Sequence, residues 1–316
     1  MTYIIIINYN NSFDTIDCIR SLERARGFFK VIVVDNGSSS TDYLKLKEFF
    51  QTINNASSYS IDELLLAGVS TQYTLIRSEE NLGFAGGNNL AIKIAIGQSD
   101  FQNILLLNND TLVDTNFLEE LTQFHKKNDG YHLIGGRIFF ENKKDKIWYD
   151  GGRYNKYSTS VTHTNENKLL SEISGDENPH ETDFITGCLL FIPGNALQKI
   201  GLLDESFFMY FEDLDYCLRA KNEGFKLYHV PKSMIWHKIG SSSGGKLSVF
   251  AAYWLAKNRI KIAFKHHGFL IQLSTALFYL FTRVPRFCKW IMLGHAGIIV
   301  AQSKGFIDGF KQEKKR

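Results

Sequence analysis

The first 110 residues alternate between apolar runs and segments with helical spacing. Four runs have the composition of buried strands, and three segments between them repeat apolar residues at helical intervals. The runs are Tyr3–Asn8, Lys30–Asp35, Tyr73–Arg77 and Asn103–Leu107, and the helical segments are Phe13–Leu22, Tyr43–Phe50 and Gly87–Ile96. This alternation predicts βαβ units, and therefore an α/β fold with a mostly parallel sheet and helices on both faces.

Polar residues cluster where three of these strands should end. The clusters are Asn8-Tyr9-Asn10, Asp35-Asn36-Gly37-Ser38 and Asn108-Asn109-Asp110. Because open α/β sheets bind ligands at the carboxyl ends of their strands, three polar ends at one edge predict a ligand site there. A dehydrogenase is disfavoured, since no Gly-rich motif follows the first strand.

Beyond residue 130 the pattern becomes mixed and divides into a second half and an extension. We expect a polar, loop-rich stretch at 141–182, a hinge at the Ser/Gly-rich segment Gly240–Gly245, strands at Gly135–Phe140, Phe184–Pro193 and Lys226–Val230, and helices at Glu212–Lys221, Ser248–His266 and Gly268–Phe281. The predicted organisation is one domain at 1–245, with halves at 1–130 and 131–245, followed by a basic amphipathic helical extension at 246–316.

The charge of the chain is unevenly distributed. The net charge is +3, yet residues 246–316 hold 13 Lys or Arg against 2 Asp or Glu. The uncharged stretch His266–Thr282 is 17 residues long, which is short for a membrane span of about 20 residues. Basic residues on both sides favour an interfacial helix on an anionic membrane surface. A helical cap on the body and a homodimer interface are alternatives, and nucleic-acid binding is not expected.

The cysteines and the N-terminal sequence bear on the cellular compartment. The four cysteines, Cys18, Cys188, Cys217 and Cys288, lie far apart without a C-x-x-C pair, which argues against a zinc site and for reduced thiols. The segment MTYIIIINYNN lacks the basic region and the cleavage site of a secretion signal. We therefore expect a cytoplasmic protein, peripheral on the inner face of the cell membrane.

Three segments at strand ends carry candidate binding residues. Asp35 can accept a hydrogen bond from a pyrimidine base or a ribose hydroxyl, or from the N–H groups of its own turn. The glycines of ENLGFAGGNN, residues 80–89, let backbone N–H groups approach a phosphate where a helix begins, although by themselves they slightly favour a plain turn. Asp110 suits Mg²⁺ or Mn²⁺, since Asp114 is the better cap for the following helix.

The second half supplies candidates for catalysis. Asp213 follows the aromatic run FFMYF and is either a helix cap or a general base whose proton affinity apolar neighbours raise. Asp215 and Arg219 have the spacing of an ion pair on a helix surface, so we expect a structural role for Asp215. His237 ends a strand-like stretch and is either a structural residue or a metal ligand.

Several segments, taken together and in order, resemble those of bacterial inverting family-2 glycosyltransferases, nearest to a rhamnosyltransferase-like branch. They are VVDNGSSS, ENLGFAGGNN, LLLNND, FITGCLLFIP, FFMYFEDLDYCLRA and WHK, and the resemblance covers residues 3–265. It implies a GT-A fold and transfer of a sugar from a nucleotide diphosphate donor. Asn108 departs from the family, because it stands where the D-x-D metal motif has its first acid.

The resemblance also implies roles for individual residues. Asp213 would be the catalytic base, and Asp110 and His237 would bind Mg²⁺ or Mn²⁺. Gly187 and Glu212 would face the acceptor. The nucleotide sugar would be bound by Asn8, Asp35, Arg77, Asn81, Gly83, Gly86, Asn88, Asn108 and Asn109.

The resemblance therefore implies an inverting hexosyltransferase of cell-surface polysaccharide synthesis. The donor would be dTDP-rhamnose or a UDP-hexose, and the acceptor a glycan or a lipid-linked saccharide. One alternative is a sugar-nucleotide-forming nucleotidyltransferase, which should carry a basic, Gly-rich loop after the first strand. The other is a non-catalytic nucleotide-sugar-binding protein, which would be expected to lose acids such as Asp35, Asp110 and Asp213.

Overall fold

The computed structural model describes residues 1–173, 177–238, 248–292 and 294–311. Its N-terminal half alternates strands and helices as predicted. The strands are β1 (Thr2–Asn8), β2 (Phe29–Asn36), β3 (Ala56–Tyr59), β4 (Tyr73–Ser78), β5 (Asn103–Leu107) and β6 (Thr111–Val113), and the helices are α1 (Ser12–Leu22), α2 (Ser40–Thr52), α3 (Ile61–Ala67), α4 (Gly83–Ile96) and α5 (Phe117–Lys127).

The rest of the chain adds further strands and the C-terminal helices. The strands are β7 (Leu133–Phe140), β8 (Lys143–Tyr149), β9 (Gly152–Asn155), β10 (Ser160–His163), β11 (His180–Glu181), β12 (Leu189–Pro193) and β13 (Leu227–His237). The helices are α6 (Gly194–Ile200), α7 (Glu212–Asn222), α8 (Val249–His266), α9 (Phe269–Met292) and α10 (Ala296–Gly309), with short 3₁₀ turns at Leu170–Glu172 and Glu205–Phe207.

Within the described residues, eleven strands form one mixed sheet. Its order is β11-β13-β7-β12-β5-β1-β2-β4-β3, with β6 paired to β13 and β8 paired to β7. β1 is parallel to β2 and β5, β4 is parallel to β2 and β3, and β12 is antiparallel to β5. The register aligns Asn8 with Asp35 and Asp35 with Arg77, so the polar strand ends lie side by side at one edge.

The continuous apolar strands are explained by burial on both faces of the sheet. Ile4, Ile5 and Ile6 of β1 are all fully buried, although successive side chains of a strand point to opposite faces. Such a strand requires cover on both sides, which the helices provide. One core cluster extends from β1 to Ile262 of α8.

Three expectations about the second half are wrong. The stretch 141–182 contains strands β8 to β11, which the sequence hides because the first residues of β8 are exposed and charged, as at many sheet edges. The strand expected at Phe184–Pro193 begins only at Leu189, whose N–H donates to Thr186 O in a turn (3.2 Å). The helix expected to end at Phe281 continues past Pro285 to Met292.

The C-terminal helices pack onto the body and onto each other. α10 crosses α8 closely, since a Cβ on Gly305 would lie 2.2 Å from Tyr253 O. Among the helices of the described segments, none is long and apolar enough to cross a membrane. The hinge expected at Gly240–Gly245 lies outside the described residues, and the domain division at residue 245 stays a prediction.

Candidate active site

The ends of β1, β2 and β4 form one group around Asp35. Asn8 Nδ2 donates to Asp35 Oδ1 (2.9 Å), and Arg77 Nε lies 3.6 Å from Asp35 Oδ2. Burial raises the pKa of Asp35, although Ser38, Asn8 and Arg77 oppose this shift. Within the described segments no hydrogen bond reaches the buried Asp35 Oδ2, so this oxygen can accept one from a ligand. The guanidinium of Arg77 stacks over the Tyr43 ring, 4.4 Å from its centroid.

A buried network connects this group to the end of β5. Thr15 Oγ1 donates to Asn8 Oδ1 (2.8 Å), and Asn109 Nδ2 donates to Thr15 Oγ1 (2.9 Å). Both asparagines are therefore engaged with protein groups and fix the edge of the sheet. Their predicted contact with the donor stays a prediction.

Asn36, at the end of β2, organises the glycine-containing loop before α4. Its Nδ2 donates to Asn81 Oδ1 (3.1 Å) and Gly83 O (3.0 Å), and its Oδ1 accepts from Leu82 N (3.0 Å). Apart from the polar strand end, no pattern in the sequence predicts this role. The loop leads into α4, whose N-terminal N–H groups suit a phosphate.

Two glycines in the first turns of α4 have neighbouring atoms too close for a side chain. Gly83 has a φ of +70°, and a Cβ there would lie 2.4 Å from Phe208 O. A Cβ on Gly86 would lie 2.9 Å from Leu82 Cβ. Asn88 Nδ2 donates to Phe84 O within α4 (2.8 Å), so its amide is used by the helix itself.

Asp213 lies in the first turn of α7, close to Gly187. Its Oδ2 accepts from Gly187 N (3.0 Å) and its Oδ1 from Leu214 N (2.8 Å). The side chain is partly exposed, and burial raises its pKa despite these backbone hydrogen bonds. A carboxylate with a raised pKa and an open side can act as a general base.

Gly187 lies between Phe84 of α4 and Asp213 of α7. A Cβ there would lie 3.1 Å from the Phe84 ring and 3.5 Å from Asp213 Cβ. Glu212, beside the candidate base, is buried; burial and the neighbouring Asp213 raise its pKa well above the usual range. The acceptor contacts predicted for Gly187 and Glu212 stay predictions.

Asp110 and His237 meet where β5 and β13 end. His237 Nε2 lies 3.0 Å from Asp110 Oδ1, and both side chains are almost fully buried. Burial alone would lower the pKa of His237, but Cys188 and Asp110 outweigh it and raise the pKa well above the usual value. Cys188 also ties this pair to the neighbouring strand end, because Cys188 O accepts from Asn108 N (3.1 Å).

The Asp110–His237 pair fits a small divalent cation. The Asp110 carboxylate is a donor that both Mg²⁺ and Mn²⁺ accept. The His237 nitrogen, 3.0 Å from it, would become a donor once it has lost its proton and is better suited to Mn²⁺ than to Mg²⁺. In the part of the chain that the structure describes, no group of three or more His, Cys, Asp or Glu side chains could bind a metal. Two protein ligands leave positions for phosphate oxygens and water, which suits a cation that binds together with a diphosphate.

Two structural predictions for acidic residues have different outcomes. Asp215 forms the expected ion pair with Arg219 (2.9 Å) and also contacts Lys265 (2.7 Å) of α8. Asp114 does not cap α5 directly. Its Oδ1 accepts from Asn116 N (2.8 Å) in the turn before the helix, because α5 begins two residues later than a capping Asp114 requires.

Sequence reasoning missed Asn258 of α8. This side chain is fully buried, and its Nδ2 donates to Phe207 O (2.8 Å), Met209 O (2.9 Å) and Tyr210 O (2.8 Å). These carbonyls belong to the loop that leads directly into Glu212 and Asp213. A polar residue on the otherwise apolar face of α8 was the available signal.

Trp148 of β8 is a second residue that the sequence did not reveal. Its ring lies 4.8 Å from the His237 ring and 4.7 Å from the His163 ring, edge to face in both cases. The Trp148 side chain is partly exposed. The Trp148 ring therefore packs beside the Asp110–His237 pair.

Models of known families match most of the chain. The model of glycosyl transferase family 2 matches residues 3–194, and that of glycosyl transferase family group 2 matches residues 103–297. The low-salt glycan biosynthesis hexosyltransferase Agl10 of Haloferax volcanii is 30% identical over 71% of this chain and 62% of its own length. The dTDP-rhamnosyl transferase RfbF of Shigella flexneri is 19% identical over 98% of this chain and 92% of its own length.

Coverage of the relatives varies. This chain spans less than two thirds of Agl10 and 32% of the galactofuranosyltransferase GlfT2 of Mycobacterium tuberculosis, which is 22% identical over 60% of this chain. The rhamnosyltransferase WbbL of Escherichia coli is 23% identical over 73% of this chain and 81% of its own length.

Two solved structures resemble the fold. GalNAc-T7 with UDP, GalNAc and Mn²⁺ matches 83% of this chain and 47% of its own, with a TM-score of 0.60 at 15% identity. The mannosyltransferase PcManGT of Pyrobaculum calidifontis with GDP-Man and Mn²⁺ matches 99% and 76%, with a TM-score of 0.54 at 9% identity. These likenesses confirm the predicted GT-A-like α/β fold. Because the first family model matches more than half of the residues, the chain belongs to glycosyl transferase family 2.

Proposed function

We propose that this chain is an inverting glycosyltransferase that moves a sugar from a nucleotide diphosphate to a saccharide acceptor. One observation carries the proposal: Asp35, Asp110 and Asp213 come from distant parts of the sequence, yet hydrogen bonds of these residues or of their chain neighbours lead from one to the next along one sheet edge. Asn8, Thr15 and Asn109 connect Asp35 to the end of β5. Cys188 and Gly187 connect that end to Asp213.

Asp213 is the general base of the proposed reaction. Its carboxylate takes the proton of an acceptor hydroxyl while the hydroxyl oxygen forms a bond to the anomeric carbon of the donor. The bond between that carbon and the diphosphate oxygen breaks on the opposite face, and the electron pair leaves with the nucleotide diphosphate. One displacement of this kind inverts the anomeric configuration, and general-base catalysis contributes about 10²–10⁴-fold to the rate.

Asp110 and His237 would bind Mg²⁺ or Mn²⁺, with Asn108 beside them as a neutral oxygen donor. The cation, when bound, would supply positive charge to the departing diphosphate. The two residues hold their positions through the ends of β5 and β13, where Lys238 N donates to Asp110 O (2.8 Å). Two solved relatives of the fold contain Mn²⁺ together with a nucleotide or nucleotide sugar, which supports this assignment.

Asp35 and Arg77 would bind the nucleotide, and the loop of Asn81, Gly83, Gly86 and Asn88 would line the diphosphate. The unused Oδ2 of Asp35 suits the imide N–H of a pyrimidine. Rhamnose from dTDP-rhamnose is the leading donor, supported by the names of RfbF and WbbL, and a UDP-hexose is the second. The acceptor would be a glycan or a lipid-linked saccharide in cell-surface polysaccharide synthesis.

A donor screen with the full chain tests this function. Release of the nucleotide diphosphate is measured for dTDP-rhamnose, UDP-glucose, UDP-galactose and UDP-N-acetylglucosamine, with and without chelator. Asp213→Asn should reduce turnover by at least about 10²-fold while donor binding persists, and Asp145→Asn, at an exposed position of β8, should not. Donor binding without any turnover in the wild type would favour a non-catalytic binding protein. Full activity in the presence of chelator would refute the proposed role of the cation.

We also propose a peripheral location on the inner face of the cell membrane. The support is α9, which exposes Phe269, Leu270 and Phe281 by 72%, 80% and 83%. A homodimer through the same face is the competing arrangement. Vesicle flotation and light scattering of the full chain separate the two, since a dimer interface would be closed to lipid.

A further inference from the structure

α9 has the reverse of the usual amphipathic arrangement. Its inward face carries Thr275 and Tyr279, which are 0% and 3% exposed, and Thr275 Oγ1 lies 2.8 Å from Thr159 Oγ1 of the body. Its outward face carries large apolar side chains: Phe269, Leu270, Leu273, Leu277, Leu280 and Phe281. Residues at these positions cover one continuous side of the helix, so the apolar surface is a single stripe.

Three arginines converge beside this stripe. Arg259 comes from α8, and Arg283 and Arg286 come from α9. Arg259 Nη1 donates to Ser158 O (3.1 Å), and the guanidinium of Arg283 lies 4.9 Å from the Tyr279 ring centroid. Across residues 1–173, 177–238, 248–292 and 294–311, none of the three arginines forms an ion pair with a carboxylate.

The arginine cluster has no negatively charged partner among the described residues. The Nε atoms of Arg259 and Arg283 are buried, and neither has a hydrogen-bond partner among the described residues. Burial lowers the pKa of Arg259 to about 10, and repulsion from Arg283 and Arg286 acts in the same direction. Buried like charges without a counter-charge are costly, and an anion between them would offset that cost.

The shape of the cluster favours phosphate among anions. A guanidinium presents parallel N–H donors that match two phosphate oxygens, and such charge-assisted hydrogen bonds are among the strongest in proteins. The position beside an apolar stripe places the anion where lipid headgroups would lie if the stripe entered the acyl boundary. Both observations point to a phosphate at a membrane surface.

We propose that Arg259, Arg283 and Arg286 form a binding site for the phosphate headgroup of an anionic phospholipid, with the apolar stripe of α9 inserted beside it. The site fixes the orientation of the body on the bilayer. This inference rests on the proposed membrane location and is independent of the transfer reaction.

Vesicle binding of the full chain tests the site. Binding to phosphatidylcholine vesicles is compared with binding to vesicles that also contain phosphatidylglycerol. The double variant Arg259→Gln/Arg283→Gln should weaken binding to the anionic vesicles by about tenfold or more. The matched control is Lys126→Gln/Lys127→Gln, which removes the same charge from exposed positions of α5 and should have a small effect. Arg286→Gln, at an exposed position, serves if the double variant does not fold.

Three outcomes would overturn the proposal. Equal weakening in the arginine and lysine variants would mean that net charge alone attracts the protein to lipid. Release of the protein from vesicles by millimolar inorganic phosphate would identify a site for a free anion. A stable dimer that does not bind vesicles would assign the stripe to a second copy of the chain. Donor hydrolysis without vesicles is measured on the same variants, so a failure here is distinguishable from a failure of the proposed reaction.

Discussion

Replacing Asn258 should disturb catalysis although this residue lies on a C-terminal helix. The loop it binds contains Phe208, Tyr210 and Phe211 at φ values of 57°, 67° and 72°. Left-handed backbone costs roughly 1–2 kcal/mol for each non-glycine residue, so this loop holds about 3–6 kcal/mol of strain. Without its partners the loop should relax, and Asp213, two residues beyond it, should move.

The magnitude follows from the hydrogen bonds that are lost. The two N–H groups of the Asn258 amide are shared among three carbonyl oxygens at 2.8–2.9 Å. Each hydrogen bond contributes about 1 kcal/mol net, and a buried carbonyl left without a partner costs about 1–3 kcal/mol. Asn258→Ala should therefore lower the free energy of unfolding by about 2–4 kcal/mol. A displacement of about 1 Å at the base should reduce kcat by about 10–100-fold.

The assay measures kcat, donor Kd and urea unfolding on the same preparations. Asn258→Asp is the second variant, because its carboxylate would face three carbonyl oxygens and should be worse than alanine. Asn128→Ala is the control: Asn128 also donates to a backbone carbonyl, Phe124 O (2.9 Å), but at the end of α5. If the Asn258 variants lose stability while the folded fraction keeps the wild-type kcat, the residue is structural only and the reasoning about Asp213 is refuted.

The remaining predictions concern Gly83, Asp213 and Asp204. Gly83→Ala should weaken donor binding by about tenfold or more, because a Cβ there would lie 2.4 Å from Phe208 O. The control is Gly224→Ala, which is also at positive φ but has nothing within 4 Å of its Cβ position and should keep the wild-type affinity. Equal donor affinities of the two variants would contradict the argument. Because burial raises the pKa of Asp213 and a base works only when deprotonated, kcat should fall on the acid side with an apparent pKa above that of an ordinary aspartate. A profile that stays flat down to the pH at which ordinary aspartates titrate would exclude this role. Burial opposes the shift, but Lys265 and Ser206 lower the pKa of Asp204 to about 2. The ionised Asp204 therefore stabilises the fold above about pH 4, and about 2 kcal/mol of the free energy of unfolding is lost as the pH falls to about 2. Lys265→Met should make the free energy of unfolding less dependent on pH in this range. An unchanged pH dependence would disprove the assignment.

The N-terminal half was predictable because a simple physical rule governs it. Strands buried on both faces must be apolar throughout, and helices between parallel strands must show helical periodicity. The rule that ligands bind at strand ends then located Asp35 and Asp110 without knowledge of any contact. The edge of the sheet was harder, since β8 begins with exposed charged residues and has no apolar run to identify it.

The connections between distant residues could not be read from the sequence. Asn258 lies about fifty positions after the carbonyls that it binds, and only the fold brings them together. Asn36 follows Asp35 in what reads as an ordinary turn, yet its amide holds the loop before α4. Both are asparagines that satisfy backbone groups, a role that depends on tertiary geometry rather than on pattern.

The first turn of α7 shows how one short segment gives neighbouring carboxyl groups opposite properties. Asp215 has three polar partners, Arg219 (2.9 Å), Lys265 (2.7 Å) and His266 (2.7 Å). Against the effect of burial, the hydrogen bond with His266 and the positive charges of Arg219 and Lys265 lower the pKa of Asp215. Among the described residues, Asp213 accepts hydrogen bonds from backbone N–H groups only, and burial raises its pKa. Two of the three partners of Asp215 belong to α8, and its negative charge would otherwise act at full strength on the adjacent carboxyl groups. Helix α8, which holds the loop through Asn258, therefore also screens Asp213 from the charge of Asp215. In this way α8 contributes to the electrostatics of the candidate active site.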